Sequence, residues 1–283
     1  MSQIIVGIDF SKTSILALQY ALKIGAKTGL DILMVNVVKE GDYEMPFKKD
    51  EKVPQTDIEK NFHKLLDRYK DQIKGKLDYT IREGKVYEEL TNQAKYTDAW
   101  LIITGAHGLS GFEEFWVGNN TYKIMTRAHC PVIAVRIGYP IDRDLKNIIL
   151  PIDSTLETTQ KVEFTTELAR KFDSTIHVLS LYSALIPDIQ DKVDNSTREA
   201  LRIIKNAGVK SVQDKAVSDN ITDSTIEYAK KNDGDLISMM TEQEFAPGNI
   251  FLGPYAEQMV NRSPIPVMSI RAKMLKREEG QIY

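Results

Sequence analysis

The chain contains itself twice. Gly118, Arg127, Pro131 and Val132 return as Gly253, Arg262, Pro266 and Val267, at a constant offset of 135 residues. Asp9 and the run from Ile32 to Val37 return as Asp153 and the run from Ile176 to Leu181, at an offset of 144. The offset changes once, between the second and fourth strands, where the first copy is nine residues longer. A chain of 283 residues, 42% of them hydrophobic, has material for one large core or two ordinary ones. The repeat selects two, because each copy of about 140 residues has the size of a complete domain.

Within each copy, short apolar runs alternate with helical patterns. In the first copy the predicted strands are 3–9, 31–38, 77–82, 100–105 and 131–136. Helices are predicted at 12–28, 56–73, 85–96 and 119–128, with a charged stretch at 39–55. The second copy predicts strands at 147–152, 174–182, 209–217, 235–240 and 266–270, and helices near 157–171, 194–207, 220–231 and 254–262. Near-continuous apolar strands separated by helices imply a parallel sheet covered on both faces. Right-handed crossovers make each copy a doubly wound α/β domain. The expected division is 1–138 and 145–272, joined by a linker too short to keep the domains apart. Residues 273–283 form a charged tail, read as either an added helix or a frayed end.

The segment from Gly105 to Thr121 bears the candidate site. Gly105 ends the fourth strand, Gly108 follows it closely, and Gly118 opens the next helix. Ligands of open α/β sheets bind beyond the carboxyl ends of strands, where strand order reverses. Glycine lets backbone N–H groups approach a phosphate. A helix N-terminus favours an anion through its unpaired N–H groups and its dipole. Asn119, Asn120 and Thr121 add side-chain donors. Asp9, after the first strand, can accept hydrogen bonds from a ribose diol, and Val37 can form an apolar wall for a base. The bland readings are that the glycines are turns and that Asp9 caps the next helix.

On these residues the chain resembles the universal stress protein family. Nucleotide-binding members carry Gly, two residues, Gly, nine residues, then Gly and Ser or Thr, a spacing met by Gly105, Gly108 and Gly118. The Asp-Phe-Ser of 9–11 and the Cys-Pro-Val of 130–132 fit as well. The resemblance covers nearly the whole chain. It implies two tandem adenine-nucleotide alpha-hydrolase-like domains, each a five-stranded parallel sheet in the order 3-2-1-4-5, paired through their last strands. It implies ATP, ADP or AMP as ligand, with Mg2+ accompanying the phosphates. Asp9 would hold the ribose and Val37 the adenine, while Gly105, Gly108, Gly118, Asn119, Asn120 and Thr121 would surround the phosphates. One departure is Asn119, where the pattern has Ser or Thr; its larger amide lacks a hydroxyl and weighs toward AMP or ADP.

The second copy departs further. Met240 and Gln243 stand where Gly105 and Gly108 do, Glu242 and Glu244 flank them, and Pro254 removes a donor from the helix start. The expectation is one site per chain, in the first domain, with the second a degenerate partner.

The remaining features narrow the class. A net charge of -3 gives no reason to expect nucleic acid or an anionic membrane as partner. Cys130 is the single cysteine, so no intrachain disulfide forms. No apolar run reaches membrane-span length, and the first residues lack the zones of a signal peptide; the expectation is a cytoplasmic protein. No P-loop, GxGxxG or GxSxG motif is present. The spacing of His107 to Glu113 and Glu114 matches no standard metal site. The chain therefore reads as a stress-response or signalling module whose 106–117 loop, carrying Gly108 and Gly111, could close on a nucleotide. A slow ATPase and a nucleotide-independent scaffold are the alternatives, and a homodimer of chains is left open.

Overall fold

The computed structural model describes residues 3–38, 55–106, 119–241 and 253–272. The first domain runs β1 (Gln3–Gly7), α1 (Lys12–Thr28), β2 (Asp31–Val38), α2 (Gln55–Tyr69), β3 (Leu77–Glu83), α3 (Val86–Tyr96), β4 (Leu101–Ala106), α4 (Asn119–Arg127) and β5 (Val132–Arg136). The second runs β6 (Asn147–Ile152), α5 (Val162–Phe172), β7 (Thr175–Tyr182), α6 (Pro187–Asn206), β8 (Lys210–Val217), α7 (Ile221–Lys231), β9 (Leu236–Thr241), α8 (Pro254–Arg262) and β10 (Val267–Arg271). The stretches 39–54, 107–118 and 273–283, on which the charged loop, the glycine loop and the tail fall, lie outside the described residues.

Local chemistry explains the best-defined element. Ser11 precedes α1 with extended backbone, and its Oγ accepts the Ser14 N–H at 3.2 Å. That satisfies one of the orphan donors of the first turn, an effect of about 1 kcal/mol. Gly29 ends the helix with φ +74°, returning its N–H to the Gly25 carbonyl at 2.8 Å.

The strands form one ten-stranded sheet in the order β3-β2-β1-β4-β5-β10-β9-β6-β7-β8. Each half has the order 3-2-1-4-5 and is parallel throughout; β5 and β10 meet antiparallel. At that seam Ile133 lies opposite Met268, its own counterpart in the repeat. A pseudo-twofold axis therefore passes between these two residues.

The continuous sheet changes one expectation. There are two main cores, but they are divided by sheet face and not by domain. Val132 and Ala134 join one core, Ile133 and Val135 the other, and both cores include residues of both domains. Side chains alternate across a strand, so pairing β5 with β10 carries each core across the seam. Arg136 adds a buried tie, its Nη2 donating to the Val260 carbonyl at 3.3 Å.

Two helix starts also differ from expectation. α6 begins at 187, not 194, with Pro187 in its first turn, where the fixed φ suits a helix and no N–H is wasted. α5 begins at 162, not 157, and residues 156–161 form turns. The strand ends facing these helix starts also differ. In domain 1 a Cβ on Gly105 would come within 2.7 Å of the Thr13 backbone, so α1 starts directly against β4. In domain 2 the buried Met240 stands at the equivalent position.

Candidate functional site

Beyond the carboxyl ends of β1 and β4 the strand order reverses, and there the first domain holds a cavity of about 300 Å³. β1 delivers Gly7, Ile8 and Asp9 to it. The Ile8 N–H donates to the Val35 carbonyl at 2.9 Å, and the buried Asn36 amide donates to the Ile8 carbonyl at 2.7 Å. These bonds hold the end of β1 against β2. Phe10 then takes φ +62°, a left-handed conformation rare for a bulky residue. Its ring packs edge-on against Phe62 at 5.0 Å.

Asp9 is fixed by the helix that follows. Its Oδ1 accepts the Ser11 N–H at 3.0 Å, while its own N–H donates to Ser14 Oγ at 3.3 Å. Partial burial pushes the carboxyl upward, but hydrogen bonds from Ser11 and Ser14 outweigh it and hold the group below the ordinary aspartate value. A depressed carboxyl adds stability above its unfolded pKa of about 3.9 and loses it as pH falls through the folded value. Asp9→Asn should therefore be less stable than the parent at pH 7, with the gap closing at acid pH once the folded carboxyl has taken up its proton. Urea melts at pH 7 and at acid pH check this; a gap independent of pH would show that the charge plays no part.

Of the eight sequence-predicted site residues, Asp9, Val37, Gly105, Asn120 and Thr121 line this one cavity. Asn119 opens α4. Gly108 and Gly118 lie outside the described residues, as do His107, Glu113 and Glu114. Gly105 also has a packing part, since its missing Cβ is space used by α1. Thr121 is also committed, its Oγ1 donating to the Gly105 carbonyl at 3.2 Å. Asn120 in the first turn of α4 is exposed. An anion there would meet first-turn amides that have no carbonyl partner within the helix.

Sequence reasoning missed several lining residues. Thr13 and Ser14 come from the first turn of α1, and the polar run Ser11-Lys12-Thr13-Ser14 directly after a strand is a signal that could have found them. Val86 and Leu90 from α3 and Ile124 from α4 complete an apolar side with Val35 and Val37. Their helical spacing marks them as core, and only the packing of α3 beside β1 brings them here.

At the equivalent end of domain 2 the aspartate is held as in domain 1: Asp153 Oδ1 accepts the N–H and the hydroxyl of Thr155, at 2.9 and 2.6 Å, and its own N–H donates to Thr158 Oγ1 at 3.2 Å. The surroundings differ. Lys161 is buried, its Nζ donating to the Thr158 carbonyl and hydroxyl at 2.8 and 3.0 Å. Pro254 brings no N–H to the start of α8. Residues 242–252 lie outside the described part. Among the described residues no group of His, Cys, Asp and Glu is arranged to hold a metal ion, and no described helix is long and apolar enough to cross a membrane.

Fold and cavity together define a tandem doubly wound α/β chain with a ligand-sized recess at the switch point of its first sheet. The universal stress protein family model matches residues 1–136 and again 144–271, and the chain belongs to that family. Universal stress protein YxiE of Bacillus subtilis is 26% identical over 147 residues, 48% of this chain and 99% of YxiE. Universal stress protein Rv1996 of Mycobacterium tuberculosis is 27% identical over 143 residues, 47% of this chain and 44%, under half, of its own length. In fold, the chain is similar to a universal stress protein from Archaeoglobus fulgidus, with a TM-score of 0.73 and 15% identity, over 95% of this chain and 98% of that one.

Proposed function

We propose that domain 1 binds an adenine nucleotide in the recess between β1, β4 and α4, and that the chain acts in stress response or signalling by reporting that occupancy. The observation that carries the reading is the convergence of Asp9, Val37, Gly105, Asn120 and Thr121 on one cavity of about 300 Å³, the lower end of the range for small-molecule sites. Asp9 offers the ribose diol an acceptor, and Val35 and Val37 offer the base an apolar wall. The first turn of α4 faces the phosphates with N–H groups and no competing carboxylate. Asn119 in place of a hydroxyl residue weighs toward AMP or ADP over ATP. Mg2+ would enter with the phosphates and not through a protein carboxylate cluster.

Domain 2 acts in this reading as a packed partner that binds no nucleotide. Buried Met240 stands where domain 1 has Gly105, and Pro254 removes an N–H from the start of α8.

Calorimetric titration of the stripped protein with AMP, ADP and ATP, with and without magnesium, tests both halves. The expected result is one site per chain. Asp9→Ala should weaken it about tenfold or more, the loss of a charge-assisted hydrogen bond of about 1.5–3 kcal/mol. Two sites per chain would overturn the assignment to domain 1 alone. Absence of binding would leave the paired domains as a nucleotide-independent scaffold.

A further inference from the structure

The pseudo-twofold axis at Ile133 and Met268 relates two clefts at the seam between the domains, and only one of them is covered by described chain. The covered cleft is closed by residues 137–145 of the linker. There Tyr139 is buried edge-on against Tyr20, with centroids 6.3 Å apart, and donates to the Asp235 carbonyl at 3.2 Å. Arg143 pairs with Asp235 and Asp233, and Lys23 donates to the Arg143 carbonyl. Burial pushes the Lys23 ammonium down, and the carboxylates of Asp144, Asp235 and Asp142 oppose that.

The repeat offsets carry this cleft onto the other one position by position. Tyr20 becomes Phe164, Lys23 becomes Glu167, Asp235 becomes Trp100 and Asp233 becomes Asp98. All four resulting residues line a second cavity of about 500 Å³, together with Glu163 and Arg271. Asp98 and Asp233 even share a left-handed backbone, with φ +47° and +50°. Trp100 and Phe164 form a tilted aromatic pair at 4.8 Å. This cleft thus has an aromatic floor and a carboxylate rim.

The segment in register with the linker is the tail that follows β10. By the same offset Met274 stands where Tyr139 does, and Arg277 where Asp142 does. Asp142 is one of the linker carboxylates that act on Lys23; in the repeat register those two positions are held by Arg277 and Glu167, with the signs exchanged. Three of the first five tail residues, Lys273, Lys276 and Arg277, are cations. Met274 has the shape and sulfur chemistry to seat on Trp100 and Phe164.

We propose that residues 273–283, which lie outside the described part, dock in this cleft as the linker docks in its mate, with Met274 on the aromatic pair and Arg277 on Glu167. Each domain would then be strapped to the other on both sides of the seam by the chain leaving its own last strand or its partner's.

Trp100 gives the readout. Trp116→Phe leaves it as the single tryptophan, and acrylamide quenching is compared in that background, with circular dichroism confirming the fold of each variant. A chain ending at Ala272 should be quenched severalfold faster than the full chain. Arg277→Glu in the full-length chain should do the same, and adding Glu167→Arg should restore protection, a coupling that a merely structural loss would not show. Equal quenching with and without the tail would overturn the proposal. So would protection that appears only at concentrations where the protein sediments as a dimer, which would assign the cleft to a second copy.

Discussion

Gly105→Val is expected to cost the chain about 1–3 kcal/mol and to remove the nucleotide affinity proposed for domain 1. The mechanism is overpacking against backbone. A Cβ at this position would come within 2.7 Å of the Thr13 carbonyl carbon and oxygen, and those atoms belong to the first turn of α1. A side-chain tip could rotate away, but a helix start cannot move without its neighbours. The Ser11 cap, the Asp9 to Ser11 hydrogen bond and the seat of Thr13 and Ser14 in the cavity all depend on that turn. Domain 2 shows the alternative arrangement, in which a larger residue at the same place coexists with a helix that begins only at Val162. Denaturant melts and calorimetry on the same preparation check the two parts. Full stability with full binding would refute the packing account. Met240→Gly is the converse experiment. It should not create a site but open a hole, costing about 2–5 kcal/mol.

Asp235→Ala is the second large effect, an expected loss of about 3 kcal/mol. Asp235 is buried to 1% side-chain exposure between β9, β6 and the linker. Its Oδ2 accepts the N–H groups of Lys146 and Asn147, each at 2.8 Å, and its Oδ1 takes the Arg143 Nε. One carboxylate thus joins the linker to two strands. Removing it strands two amides and a guanidinium. Because Arg143 remains 37% exposed, water rescues part of that charge, and the lower end of the range of about 3–5 kcal/mol for broken buried pairs applies. Asp235→Asn should cost less, since its carbonyl can still accept one amide. A loss under about 1 kcal/mol for the alanine variant, the size of a surface pair, would remove Asp235 from its role as the clamp.

Much of the fold was legible because its signals are local or repeated. The apolar runs gave ten strands within a few residues, and the span 12–28 matched α1 because Ser11 and Gly29 are chemical boundary marks. The strand order followed from the family resemblance and stands in both halves of the sheet. The start of α6 was misjudged although Pro187 marked it. The late start of α5 had no local mark. The candidate site was partly legible in the same way. Asp9 and Gly105 sit at strand ends that the pattern locates, whereas Val86, Leu90 and Ile124 enter the cavity through helix packing.

By itself, then, the sequence determined a tandem pair of doubly wound domains and the asymmetry between them, because repeat spacing and glycine placement are properties of the chain read in order. The pairing of the two sheets through β5 and β10 followed from the family resemblance; only the tertiary structure decided that the cores follow the two faces of the joined sheet and that Gly105 makes room for a helix. Those outcomes depend on the Ile133 to Met268 register and on contacts between residues far apart in sequence, and side-chain periodicity carries no information about which distant strand lies alongside.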